Sequence, residues 1–447
     1  MEFKEMYLID CVNDIIDYRG KTPKKLKDNW SEDGDYRAIS AKNIKNMNLV
    51  NQNSMNKAKA SLYKKWMKKE IDKGDILLTS EAPLGETLYW DFEEKIILSQ
   101  RVFGLKVNNE IVNSKYLFAY MQTPFFKHEL FSRESGTTVT GIRRKELEKI
   151  VIKVPSMYIQ NYIGQIIYNI NYKINNNNKI IANLEELSQT LFKSWFVDFE
   201  FPDENGNPYK SSGGEMIDSE LGEIPKGWKV SKFNDYIENI IAGDWGKQNE
   251  EGNYTCPTRI IRGADLDSFS KGNKGKAPIR YILEKNYKKK KLIAGDIIIE
   301  ISGGSPTQST GRTLLIDNNI ITYNDKLVST NFCKVIRPSV NYYSDWINEY
   351  LKYLYDRNVF FNYENGTTGI KNLDYKSVLN TMKIISPEIY LIKKFHYQTH
   401  KYYNYIQTLG YENKKLQDLR DTLLPKLMSG EIEIPDDIEV NNDELSI

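Results

Sequence analysis

The sequence predicts an α+β protein made of two tandem copies of one module, each an α/β globular part followed by a long helix. Three observations carry this prediction. The chain repeats itself once, each copy opens on short β-type runs mixed with turns, and each copy closes on sustained heptad spacing.

The repeat is ordered along almost the whole chain. Leu8 matches Val230, Cys11 matches Phe233 and Ile15 matches Ile237, all at an offset of 222. Tyr36 to Ile44 (YRAISAKNI) matches Thr258 to Leu266 (TRIIRGADL) at the same offset. GDILLTS from Gly74 answers GDIIIEIS from Gly295, and ESGTTVTGIRRKEL from Glu134 answers ENGTTGIKNLDY from Glu364. From Pro155 onward the offset is 232 and holds through Leu184, Leu187 and Leu191 against Leu416, Leu419 and Leu423. Small insertions in the middle of the module account for the change.

In the globular parts, DILLTS, KIILSQ, FGLKV and IVIKVP read as strands, as do DIIIEI, RTLLI, TNFCKVI and MKIIS. Each is a short β-branched run bounded by turn residues. SKYLFAYMQTPFFKHELF and DWINEYLKYLYDRNVFF carry helical spacing instead. After Pro155 a heptad appears, with Ile163, Ile170, Asn177, Leu184 and Leu191 on one line and Ile159, Ile166, Lys173, Ile180 and Leu187 on the other. The second copy sets Phe395, Tyr402, Leu409, Leu416 and Leu423 against Leu391, Gln398, Tyr405, Glu412 and Leu419. These alternate as a and d seam positions, with polar breaks near the middle that fix register at a cost in stability. About 37 residues at ~1.5 Å each give a rod of roughly 55 Å. Its length and regularity suit a spacer better than two unrelated helices packed on their own domains.

The boundaries that follow are 1–155 for the first globular domain, 156–196 for its helix and 197–227 for a connector rich in Gly, Ser, Pro and acidic residues. The second domain covers 228–387, its helix 388–428, and residues 429–447 form an acidic tail. A chain of 447 residues with 40% hydrophobic and 27% charged residues has room for real cores. A net charge of +2 excludes a bulk polycation, so any nucleic-acid contact has to come from local patches. Neither a membrane span nor a signal peptide is expected. Three dispersed cysteines, Cys11, Cys256 and Cys333, form no metal spacing or disulfide framework, which points to the cytoplasm. His396 and His400 stand at ligand spacing, but no third His or Cys accompanies them, so no metal and no cofactor is expected. No methyltransferase Asn-Pro-Pro-Tyr motif or nucleotide loop appears, and FPDEN at Phe201 is followed by no acid-x-Lys within thirty residues, as a nuclease pattern would require.

The phrases LEELSQTLFKSWFVDFEF, LGEIPKGWKV, GDIIIEISGGSPTQSTGR and LQDLRDTLLPKLMSGEI, in this layout, resemble the specificity subunits of Type I restriction–modification systems. The resemblance covers essentially the whole chain. It implies two target recognition domains, pseudo-twofold related, that each read half of a split, asymmetric site on double-stranded DNA. It also implies two long helices paired as an antiparallel coiled coil that sets the spacing and docks two methyltransferase subunits, with restriction and translocase subunits joining them. The chain itself is then a non-catalytic reader. Two similar domains on a spacer suit half-sites about one turn apart, ~34 Å. Two rivals remain: a specificity subunit of a Type IIB or other multi-subunit modification system, and an assembly scaffold that reads no DNA.

With that expectation, Thr137, Thr138, Arg143 and Arg144, and in the second copy Thr367, Thr368 and Lys371, are candidate DNA contacts. Small residues let backbone approach a phosphate, hydroxyls donate to it and cations neutralise it. A structural turn capping the next strand is the alternative. Lys21 and Lys247 occupy matching early turns and are candidate phosphate contacts. Gln308 and Arg312, in a polar loop, suit adenine and guanine, against a plain surface loop. Ile163, Ile166, Ile170, Leu184, Leu187 and Leu191, with Tyr402, Leu409, Leu416, Leu419 and Leu423, are assigned to the helix seam and partner docking.

Overall fold

The computed structural model describes residues 2–136, 140–303, 305, 307–324, 326–366 and 371–434. They form a mixed helix-and-sheet protein of two compact units, one comprising Met1–Asn175 with Lys415–Ile447 and the other Asn176–Lys414. Both unit boundaries fall inside the long helices, Met157–Phe196 and Ile389–Ser429.

The repeat is carried into topology. In the first unit a four-stranded antiparallel sheet runs in the order Val12–Asp17, Val102–Val107, Ile76–Ser80, Leu84–Tyr89. In the second the order is Ile237–Ala242, Cys333–Pro338, Ile297–Glu300, Thr313–Leu315, again antiparallel. Beside each lies a three-stranded sheet whose middle strand, Tyr36–Ile39 or Tyr254–Ile261, has one antiparallel and one parallel neighbour. A further pair joins the start of each module to its end, Lys4–Tyr7 with Val151–Val154 and Lys229–Lys232 with Lys383–Ser386. The strands Ile76–Ser80 and Ile297–Glu300 are buried at every residue, which is why each opens on a continuous apolar run, Ile76–Leu78 and Ile297–Ile299, rather than an alternating one.

The segment between the modules is folded. Phe199 and Phe201 pack on Trp228, with ring centroids 5.5 and 5.2 Å away, and a hairpin pairs Met216–Ser219 with Gly222–Pro225. Aromatic burial offsets the chain entropy that its Gly and Ser content would otherwise keep.

Within each unit the two long helices run antiparallel to one another. In the first, Arg420 donates to Asn171 (2.9 Å), and Ile163 and Ile167 share a core with Leu424, Leu427 and Met428. In the second, Ile181 packs with Ile406 and Leu409, and Asn177 donates to Asn413 (2.9 Å) and Glu412 (2.7 Å). The inward positions correct one of the two predicted lines on each helix. The line through Ile163, Ile170, Asn177 and Leu184 faces inward or half-inward, but its partner is Ile167, Ile174, Ile181 and Ser188, one residue beyond Ile166, Lys173, Ile180 and Leu187. Leu187 is 51% exposed. On the second helix, Thr399, Ile406 and Asn413 replace Gln398, Tyr405 and Glu412, and Leu419 is 47% exposed, while Leu391 is buried beside Ile392. Tyr402, Leu416, Leu423 and Leu191 are half-buried at the flanks. A heptad is satisfied by steps of three or of four, so adjacent apolar residues such as Ile166 and Ile167 leave the choice open. Lys173 against Ile174 was the available signal.

Buried amides at the outer end of the second unit's helix pair specify register. Asn177→Leu should lower stability by about 1–2 kcal/mol, because the Asn413 carbonyl loses its donor inside the contact. Asn177→Leu combined with Asn413→Leu should recover that loss or exceed it, since the buried polar atoms leave together. Thermal melts of the two variants check the order.

Candidate nucleic-acid interface

Strand order determines which loops meet. Thr79 pairs with Val102 and Asp17 with Phe103, so the end of Ile76–Ser80, the start of Val102–Val107 and the end of Val12–Asp17 lie on one sheet edge. The parallel partners Ile39 and Leu98 deliver two more strand ends to that place. These ends enclose a cleft of about 320 Å³ lined by Lys21, Ser40, Lys42, Asn56, Ser99, Gln100 and Arg101, with Trp30 and Trp66 as its apolar wall.

The cleft gathers positive charge. Lys21 Nζ donates to the Trp66 carbonyl and lies 3.9 Å above the Tyr18 ring. Burial, and then the charge of Lys68, pull its pKa below the usual lysine range. An anion entering the cleft favours the charged ammonium and so opposes both effects. Arg101 holds Glu81 at 3.0 Å on the rim.

The segment carrying Arg143 crosses the same edge. Ile142 N–H donates to the Ser80 carbonyl at 2.9 Å, and Gly141 bridges Glu81 and Ser135. A Cβ on Gly141 would stand 2.7 Å from the Ser80 oxygen, so this crossing needs glycine. Arg143 is exposed at the start of the helical turn Arg144–Leu147. Arg144 instead pairs with Glu148 (2.8 Å) and Asp14 (3.7 Å). Thr137, Thr138, Thr367 and Thr368 lie outside the described residues.

The second unit has the same edge with other chemistry. There Arg312 forks onto Glu300 with contacts of 2.7 and 2.9 Å, and Glu300 is 4% exposed. Lys371 pairs with Glu364 (2.9 Å), whose carboxylate also accepts from Thr310, and Lys247 pairs with Glu251 (2.9 Å). Gln308 donates to the Tyr355 hydroxyl (3.1 Å). Lys247 and Lys21 match in sequence but not in setting, since Lys247 bonds through its backbone to Tyr281 at the edge of a sheet. Parallel pairing of Ile39 with Leu98, and of Ile261 with Ser329, aligns Gln100 and Arg101 with Asn331 and Phe332. Arg101 and Phe332 are both exposed, so one turn presents a cation in one unit and an aromatic ring in the other.

Sequence reasoning did not single out Lys42, Gln100 or Arg101. SQR follows KIILSQ directly, but nothing local shows that this turn folds beside residue 21. Nor does it show that Asp345, on the helix Tyr343–Asp356, meets both His396 and His400.

Residues 9–186 match the family described as Type I restriction modification DNA specificity domain. The chain is 27% identical to the Type I restriction enzyme MjaIX specificity subunit of Methanocaldococcus jannaschii, over 93% of this chain and 90% of that protein. It is 24% identical to the HindI specificity subunit of Haemophilus influenzae, over 82% and 88%. The chain is similar to Type I specificity subunits in sequence over most of its length. Its fold is similar to a crystal structure of the Type I restriction–modification S subunit from M. genitalium, with a TM-score of 0.60 at 14% identity, over 98% of this chain and 97% of that one. Type I specificity subunits are the non-catalytic, DNA-recognition members of their systems and determine sequence specificity. Among the described residues, no helix is long and apolar enough to cross a membrane.

Proposed function

We propose that this chain is a Type I specificity subunit and reads a bipartite, asymmetric site on double-stranded DNA, residues 1–155 reading one half and residues 228–387 the other. The long helices act as a coiled-coil spacer that sets the gap between half-sites and docks two methyltransferase subunits, to which restriction and translocase subunits add. The observation that carries this reading is one strand order used twice with different side chains at equivalent loop ends, Gln100 and Arg101 against Asn331 and Phe332. A shared scaffold with different loops is what two unlike half-sites require. Apolar side chains left outside the helix pair, Ile180, Leu187, Tyr405 and Leu419, support the docking role.

The test is an exchange. Replacing residues 1–155 with those of a relative of different specificity should change one half of the methylated motif, read by sequencing modified host DNA, and leave the other half and the gap intact. A change in both halves would refute the modular reading.

A further inference from the structure

The second unit holds a cluster that DNA reading does not use. Asp345 is 1% exposed, and its partners are His396 Nδ1 on one carboxylate oxygen and the Thr399 hydroxyl on the other, at 3.0 Å. His400 follows one helical turn after His396, with ring centroids 5.1 Å apart. One donor atom from each of Asp345, His396 and His400 lies within 4.8 Å of the others. Among the described residues no Lys or Arg pairs with Asp345.

A buried carboxylate without a fixed cation is costly unless a cation is supplied. Two imidazoles four residues apart on one helix face, plus one carboxylate, form a donor set for a divalent transition metal. Metal–ligand distances of about 2.0–2.2 Å place tetrahedral donors roughly 3.4 Å apart, so the cluster needs only side-chain rotation to close. Thr399 already orients the carboxylate, as an outer-shell hydroxyl does in built metal sites. His396 is partly exposed, which leaves an entry path.

We propose that Asp345, His396 and His400 bind one divalent transition metal of the zinc class, and that it ties the recognition-domain helix Tyr343–Asp356 to the long helix Ile389–Ser429. The remaining coordination position is left to water. The site's role is to position the two helices and includes no chemistry on DNA.

The test uses the full chain in complex with its modification subunits, stripped with chelator and titrated with cobalt(II) and then zinc(II). The expected result is one equivalent of cobalt per chain that the His400→Ala variant lacks, with cobalt absorption bands that zinc abolishes and a zinc-dependent rise in melting temperature. His400→Ala keeps the Asp345–His396 pair, so its fold is checked by an unchanged melt without metal. His128→Ala, which removes the third histidine of the chain, should bind as the unaltered protein does. The proposal is overturned if the unaltered chain takes up no stoichiometric cobalt, or if His400→Ala takes up as much as His128→Ala.

Discussion

Arg312→Ala should destabilise the second unit by about 3–5 kcal/mol, a drop on the order of 10 °C in its melting temperature. The cause lies in what the guanidinium leaves behind. Glu300 is the last residue of its strand, and both its oxygens are held by Arg312. Gly263 and Gly303 make the space, because a Cβ on either would stand 2.4 or 2.8 Å from a Glu300 oxygen. Removing the cation strands a carboxylate among buried strands, and desolvation there outweighs the small packing loss of a side chain 33% exposed. Glu300→Gln with Arg312→Met should be far milder, since the charges leave together. A direct contact to guanine would behave differently, with Arg312→Ala leaving the melt unchanged and weakening only DNA binding. Melts of the single and double variants separate the two roles.

Neutralising Lys21, Lys42 and Arg101 together should weaken specific DNA binding by about 10²–10³-fold in the assembled complex. It should also reduce the salt slope by nearly three, at ~0.9 per phosphate contact. The three cations line one cleft, and Lys21 is already depressed by burial and by Lys68, so phosphate contact there gains more than at a free surface lysine. Lys21 also caps the Trp66 carbonyl, so a melt of the variant must accompany the binding curve. A salt slope unchanged within error, in a variant that melts normally, would remove the cleft from the DNA interface.

The repeat, the strands and the two long helices were legible because their signals are local or periodic. The long helices occupy Met157–Phe196 and Ile389–Ser429, where the heptad spacing runs. The buried strand Ile297–Glu300 was readable from its β-branched run Ile297–Ile299. By itself the sequence determined that the chain is one module used twice and which segments are strand or helix, since backbone periodicity and turn chemistry act over a few residues. Tertiary structure alone decided which of two adjacent heptad lines faces inward, because Ile166 and Ile167 are equally apolar and only a partner helix chooses between them. It decided that Arg312 serves Glu300, and that residue 21 meets residue 101 across a sheet edge. It also brought Asp345 to the histidine pair from fifty residues away, a juxtaposition that belongs to packing between elements and leaves no trace in spacing along the chain.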